Sequence, residues 1–143
     1  MTKLLQLSDS LFQDLRSLII EARQVNSALV LLYWRVGQRI RRDILKEERA
    51  DYGEKIVSTL STQLVSEFGL SFSSRNLWHM LRFAEVFPDE KIVNALSTQL
   101  GWTHFRQIIA LDDPLKRDFY AEMCRIERWS VRTAPRLLQG ISF

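Results

Sequence analysis

The chain has 143 residues, a formal net charge of +3, and 46% hydrophobic residues. That balance excludes an intrinsically disordered chain and fits one folded domain with a sizeable core. No apolar run approaches the about 18 residues that span a bilayer, and Met1 to Asp9 lack the basic start and apolar centre of a signal peptide, so a cytoplasmic location is expected.

The lone Cys124 cannot form an internal disulfide and has no neighbouring cysteine with which to bind zinc. Arg far outnumbers Lys. Arginine suits bidentate phosphate contacts and base stacking, and it also favours protein interfaces, so the excess points to either kind of partner.

In chain order, the first pattern is a long helical one. Apolar residues fall at Leu11, Leu15, Leu18, Ala22, Val25, Leu29, Leu32 and Val36, with spacings that alternate between four and three. This is the heptad seam of a coiled coil. Phe12, Ile19, Tyr33 and Ile40 widen the stripe, Ser8 or Ser10 can cap its start, and the polar stretch Lys46 to Asp51 with Gly53 ends it. Two readings stay open: an amphipathic helix packed on its own domain, or a homodimer seam.

Shorter helices come next. Ile56, Val57, Leu60, Leu64 and Phe68 make one apolar face; Leu77, Met80, Leu81, Ala84 and Phe87 make another, ending before Pro88. Asp113-Pro114 is a start signal, an N-cap followed by proline at the first helical position. Leu115, Phe119, Met123 and Ile126 continue it, and a last short helix is expected between Ser130 and Gln139. No strand-like alternation of useful length occurs. The expected architecture is all-α: residues 1–52 as a long N-terminal helical segment and residues 53–143 as a helix-turn-helix-like bundle of shorter helices, together one domain.

The string Lys55-Ile-Val-Ser-Thr-Leu-Ser-Thr-Gln-Leu64 recurs as Lys91-Ile-Val-Asn-Ala-Leu-Ser-Thr-Gln-Leu100, identical at eight of ten positions. Such self-similarity suggests one supersecondary unit used twice; the alternative is that both copies are the first helix of a helix-turn-helix, alike because they pack alike.

Three expected helix starts share a design, an aromatic residue before a hydroxyl: Phe72-Ser73, Trp102-Thr103 and Trp129-Ser130. The hydroxyl can accept from a free backbone N–H. Phe72 and Leu77 stand at the two ends of a hydrophobic staple. Arg75, Arg106 and Arg132 then fall within the expected first turns. Cations there oppose the helix dipole, and a bound phosphate would resolve the conflict; pairing of each arginine with a local carboxylate would resolve it too.

The segment Lys55 to Phe87 has helix-turn-helix form, with Gly69 ending the first helix and Ser73 starting the second. On the second helix Arg75, His79 and Arg82 share a polar face, flanked by Asn76. Arginine and asparagine are the usual readers of guanine and adenine edges in the major groove. The same face could equally be solvated. His79 suits a phosphate better than a metal, because the other histidine, His104, lies far off in sequence.

Catalysis is not expected. Asp89-Glu90-Lys91 matches a bare D-x-K, but it comes directly after Pro88 and opens a helix. A metal-dependent nuclease needs a second carboxylate held beside such a motif on a sheet. No Walker loop, nucleophile elbow or HExxH is present, and no cofactor or metal is expected.

The chain resembles the N-terminal domain of the YhcG family. The resemblance runs from the region of Asn26 to about Arg132. It is carried by Leu32-Tyr33-Trp34-Arg35-Val36-Gly37, Glu48-Arg49-Ala50-Asp51-Tyr52-Gly53, Phe72-Ser73-Ser74-Arg75-Asn76-Leu77, Trp102-Thr103-His104 with Arg106, Asp113-Pro114 with Phe119-Tyr120, and Trp129-Ser130-Val131-Arg132. It implies a DNA-binding domain that precedes a nuclease-like domain of the PD-(D/E)xK kind, which would lie beyond Phe143. Pro135 departs from the pattern by interrupting the last helix, and the first helix looks shorter than in relatives. The alternative is a protein-interaction and dimerisation adaptor without direct DNA contact.

Overall fold

The computed structural model describes residues 2–24, 29–46 and 51–126. Among these residues the fold is all-α, with seven helices and one 3-10 turn. The helices are α1 (Thr2–Gln24), α2 (Leu29–Lys46), α3 (Tyr52–Phe68), α4 (Ser74–Val86), α5 (Glu90–Leu96), α6 (Trp102–Ile109) and α7 (Pro114–Ile126); the 3-10 turn is Leu70–Phe72. The chain forms two compact units, Met1–Pro88 and Asp89–Phe143. The expected last helix, with Ser130 and Pro135, lies outside the described residues.

The expected single long helix occurs as two, α1 and α2. Arg39 of α2 donates to Asp14 of α1 at 2.7 Å. On one straight helix these residues would stand about 37 Å apart. The heptad stripe therefore folds back on itself. Leu11, Leu15, Leu32 and Val36 of the seam are buried within the chain. Leu18 and Ala22 are half-buried, Leu29 is 54% exposed, and Val25 lies outside the described residues. The inward line of α1 runs Leu11, Leu15, Ile19 rather than through Leu18. Arg39 also donates to Asp43 at 2.5 Å, one turn along α2. Burial acts to lower the Arg39 pKa, but the hydrogen bonds and charges of Asp14 and Asp43 outweigh it and the pKa is raised.

The largest helix interface of the first unit is α2 against α4. Glycine makes it possible. A Cβ at Gly37 would lie 1.9 Å from the Met80 carbonyl oxygen and 2.4 Å from its carbon, so the two backbones touch where Gly37 has no side chain. At one end of this interface Trp34, 1% exposed, donates its indole N–H to the Phe87 carbonyl at 2.7 Å. Much of the motif Tyr33-Trp34-Arg35-Val36-Gly37 is thus the α2 half of a close crossing. Tyr33 meets Phe72 edge-on, with ring centroids 6.0 Å apart, and Phe72 meets Phe68 at 6.1 Å, which joins the turn to α2 and α3.

The repeated decapeptide does not repeat as structure. Leu60 to Leu64 is helical inside α3, whereas the identical string Leu96 to Leu100 leaves α5 and makes a turn. The flanking residues decide between the two outcomes. Val65 continues the first copy, and Ser61 is buried there, donating to the Phe72 carbonyl at 3.0 Å. Gly101 comes after the second copy, and Ser97 donates locally to the Asn94 carbonyl at 2.9 Å. In the second unit Val93, Leu100, Phe105, Ile108 and Tyr120 are buried, and the Tyr120 hydroxyl donates to Gln107 across α6 and α7.

Candidate nucleic-acid interface

The helix-turn-helix segment forms as expected in connectivity. The last turn of α3 closes with Gly69 N–H donating to the Val65 carbonyl at 3.0 Å, and Gly69 then takes φ +100°, a conformation that side chains rarely adopt. Ser73 caps α4, its hydroxyl accepting from Asn76 N–H at 3.2 Å. Phe72 and Leu77, the two ends of the expected staple, are both buried.

The polar residues of α4 divide into two groups. Asn76 is half-buried, and its amide donates to the Ser71 carbonyl at 2.5 Å. It braces the turn that carries the helix. His79 is also half-buried, with its Nε2 out of solvent. Arg75 is exposed and makes no ion pair with any described residue. Arg82 is half-buried and lies 3.5 Å from Glu85, a long and weak pair. The exposed face of α4 therefore runs through Arg75, Trp78 and Arg82, at i, i+3 and i+7. Trp78, 44% exposed, is a member of this face that the sequence pattern does not single out. An apolar residue at helical spacing reads as core, and only the packing of α4 on α2 fixes which face is left over.

The arginine design at helix starts holds for α4 and fails for α6. Helix α6 begins at Trp102 with Gly101, not Thr103, as its N-cap. The Gly101 N–H donates to His104 Nδ1 at 3.3 Å, satisfying a donor at the helix start where Thr103 was the expected cap. Arg106 consequently stands in the last turn of a short helix, where a cation complements the dipole, so the helix-start argument for an anion does not apply to it. It is exposed nonetheless. Arg132 and the Trp129-Ser130 start lie outside the described residues. Asp113 does open α7, its carboxylate accepting from Leu115 N–H at 2.9 Å.

Asp89 caps α5 in the same way, accepting from Lys91 N–H at 2.9 Å. The D-x-K string is thus a helix start. Among the described residues no group of three or more His, Cys, Asp or Glu side chains could hold a metal ion, and no helix is long and apolar enough to cross a membrane.

Among the described residues the chain is all-helical, with a helix-turn-helix connection at α3 and α4 in the first unit. The chain belongs to the DUF1016 N-terminal domain family, whose model matches residues 10–143, in agreement with the resemblance seen in the sequence. No curated protein and no solved structure matches it.

Proposed function

We propose that this chain is a non-catalytic, cytoplasmic DNA-binding domain that positions DNA for a nuclease-like domain, in cis or in trans. The observation that carries the reading is the exposed face of α4. Arg75 stands in the first turn of a helix whose start is capped by Ser73, is exposed, and has no ion-pair partner among the described residues. A cation placed against the positive end of a helix dipole is relieved by an anion, and a DNA phosphate supplies one. The resemblance to the YhcG family supports the nuclease-like partner.

The contact set proposed is Arg75 and Arg82 on α4, with Arg106 and Arg132 as further phosphate contacts. Asn76 supports the set by holding the turn that carries α4, and His79, half-buried on the same helix, stands beside it. The test is fluorescence anisotropy on labelled short DNA across a salt series. Affinity falls steeply with salt because phosphate contacts release counterions. Arg75→Ala, Arg106→Ala and Arg132→Ala each reduce the magnitude of the salt slope by about one. Failure of the folded protein to bind any DNA at low salt overturns the reading.

A second reading, a dimerising adaptor, has one observation in its favour. Leu29 is 54% exposed beside the half of the seam that the chain leaves less covered, with Leu18 and Ala22 half-buried. A homodimer is compatible with DNA binding, so the two readings separate on the DNA titration rather than on oligomeric state.

A further inference from the structure

Trp78 is the one aromatic side chain among the exposed large hydrophobic residues described, with 44% of its surface in solvent. Its position on α4 places Arg75 three residues before it and Arg82 four residues after it, the two spacings at which helix neighbours meet. The ring is also held in place. A Cβ built on Gly53 would lie 3.7 Å from Trp78 Cη2 and 3.6 Å from Ile44 Cδ1, so the outer edge of the indole rests over the bare backbone of α3 beside α2.

A third arginine belongs to the same neighbourhood. Arg41 comes four residues after Gly37 and three before Ile44, so it shares the α2 stripe that meets Met80 through Gly37 and approaches Trp78 through Ile44. It is half-buried and makes no ion pair with any described residue. Against these cations α4 sets one acid, Glu85, which faces Arg82 at 3.5 Å.

An exposed indole with one edge packed on the fold, and arginines one turn before and after it on the same helix, is an arrangement on which nucleic-acid bases stack. The ring offers its face to any base, and the arginines offer charge to the flanking phosphates. Within a continuous duplex the faces of the bases are already covered by their neighbours. A stacking tryptophan on a helix surface can reach only a base that is unpaired or at an end. We propose that Trp78 is a stacking platform for an unpaired base, and that the preferred substrate is DNA carrying a single-stranded segment, such as a fork, flap or overhang, rather than continuous duplex. This rests on the DNA-binding reading above and narrows it to a substrate class.

The experiment compares a forked DNA with a fully paired duplex of equal length, each fluorescently labelled, titrated with the full chain at low salt. The wild-type protein binds the fork more tightly. Trp78→Leu keeps apolar bulk over Gly53 but has no ring; it reduces affinity for the fork by roughly five- to a hundredfold, leaving duplex affinity near the wild-type value. Trp78→Phe keeps a smaller ring and retains part of the preference. Circular dichroism checks that each variant is folded. Binding to neither DNA overturns the DNA reading itself. Equal wild-type affinity for fork and duplex, a preference unchanged by Trp78→Leu, or equal loss in the Phe and Leu variants each overturns the stacking role while leaving DNA binding intact. Trp78 serving a protein contact instead would give the second of these results.

Discussion

Replacing Gly37 with alanine tests the central packing of the fold. In an unconstrained helix interior the change is favourable, by about 1 kcal/mol, because alanine loses less backbone entropy. Here the new methyl would stand 1.9 Å from the Met80 carbonyl oxygen, and reaching even 3.0 Å requires a shift of at least 1.1 Å between α2 and α4. The obstacle is backbone on both sides, so no side-chain rotation relieves it. Overpacking of this kind costs about 1–3 kcal/mol, and a gap of this size along a helix interface forfeits about a quarter to a half of its dispersion contacts. The clash is backbone on backbone, so the upper end of that range applies, and against the propensity gain the expected net loss is about 2 kcal/mol, a large part of the stability of a domain this size. Gly53→Ala is the control. It lies in the first turn of α3, its added Cβ meets nothing nearer than 3.6 Å, and its stability is unchanged or higher by about 0.5–1 kcal/mol. Urea unfolding monitored by circular dichroism reads both. A Gly37→Ala midpoint at or above that of the wild type would refute the close crossing.

Three further outcomes depend on single contacts. Trp34→Phe removes the N–H that serves the Phe87 carbonyl and some buried volume, and lowers stability by about 2–3 kcal/mol in the same unfolding assay. Asn76→Ala frees the Ser71 carbonyl and lowers stability by about 1 kcal/mol; a variant as stable as wild type with altered sequence preference on a DNA panel would instead return Asn76 to base reading. Leu18→Glu with Leu29→Glu places charge on the less covered part of the seam, so a dimer built there becomes monomeric by light scattering while the helical signal persists; a monomeric wild-type protein at micromolar concentration would rule that dimer out.

How far the fold and site are legible in the sequence depends on whether a signal is local. Gly69, Ser73 and the Asp113-Pro114 pair act through backbone groups within a few residues, and each behaves as its residue type dictates. At α6 two neighbouring residues could both cap a helix, and the sequence favours Thr103 by type; the His104 ring accepting from Gly101 N–H is a competing local bond that residue preference does not rank. The heptad stripe is ambiguous for a different reason. An apolar seam of period 3.5 is satisfied equally by a second copy of the chain or by the chain's own fold-back; the Asp14–Arg39 ion pair and the burial of Leu11, Leu15, Leu32 and Val36 within the chain show the fold-back. The repeated Leu-Ser-Thr-Gln-Leu string shows the same dependence on surroundings: helical where Val65 and the Phe72 carbonyl extend it, a turn where Gly101 comes next. The proposed contact face of α4 lies at the far end of this scale. Arg75 and Arg82 are visible as polar residues at helical spacing, but whether Asn76 or Trp78 stands between them in solvent is set by the rotation of α4 about its axis. That rotation is fixed by the contact of Met80 with Gly37, more than forty positions away in the chain. A site on a helix surface is therefore readable only after the packing on the opposite side has been solved, and a glycine that no helix propensity would favour is the residue that solves it.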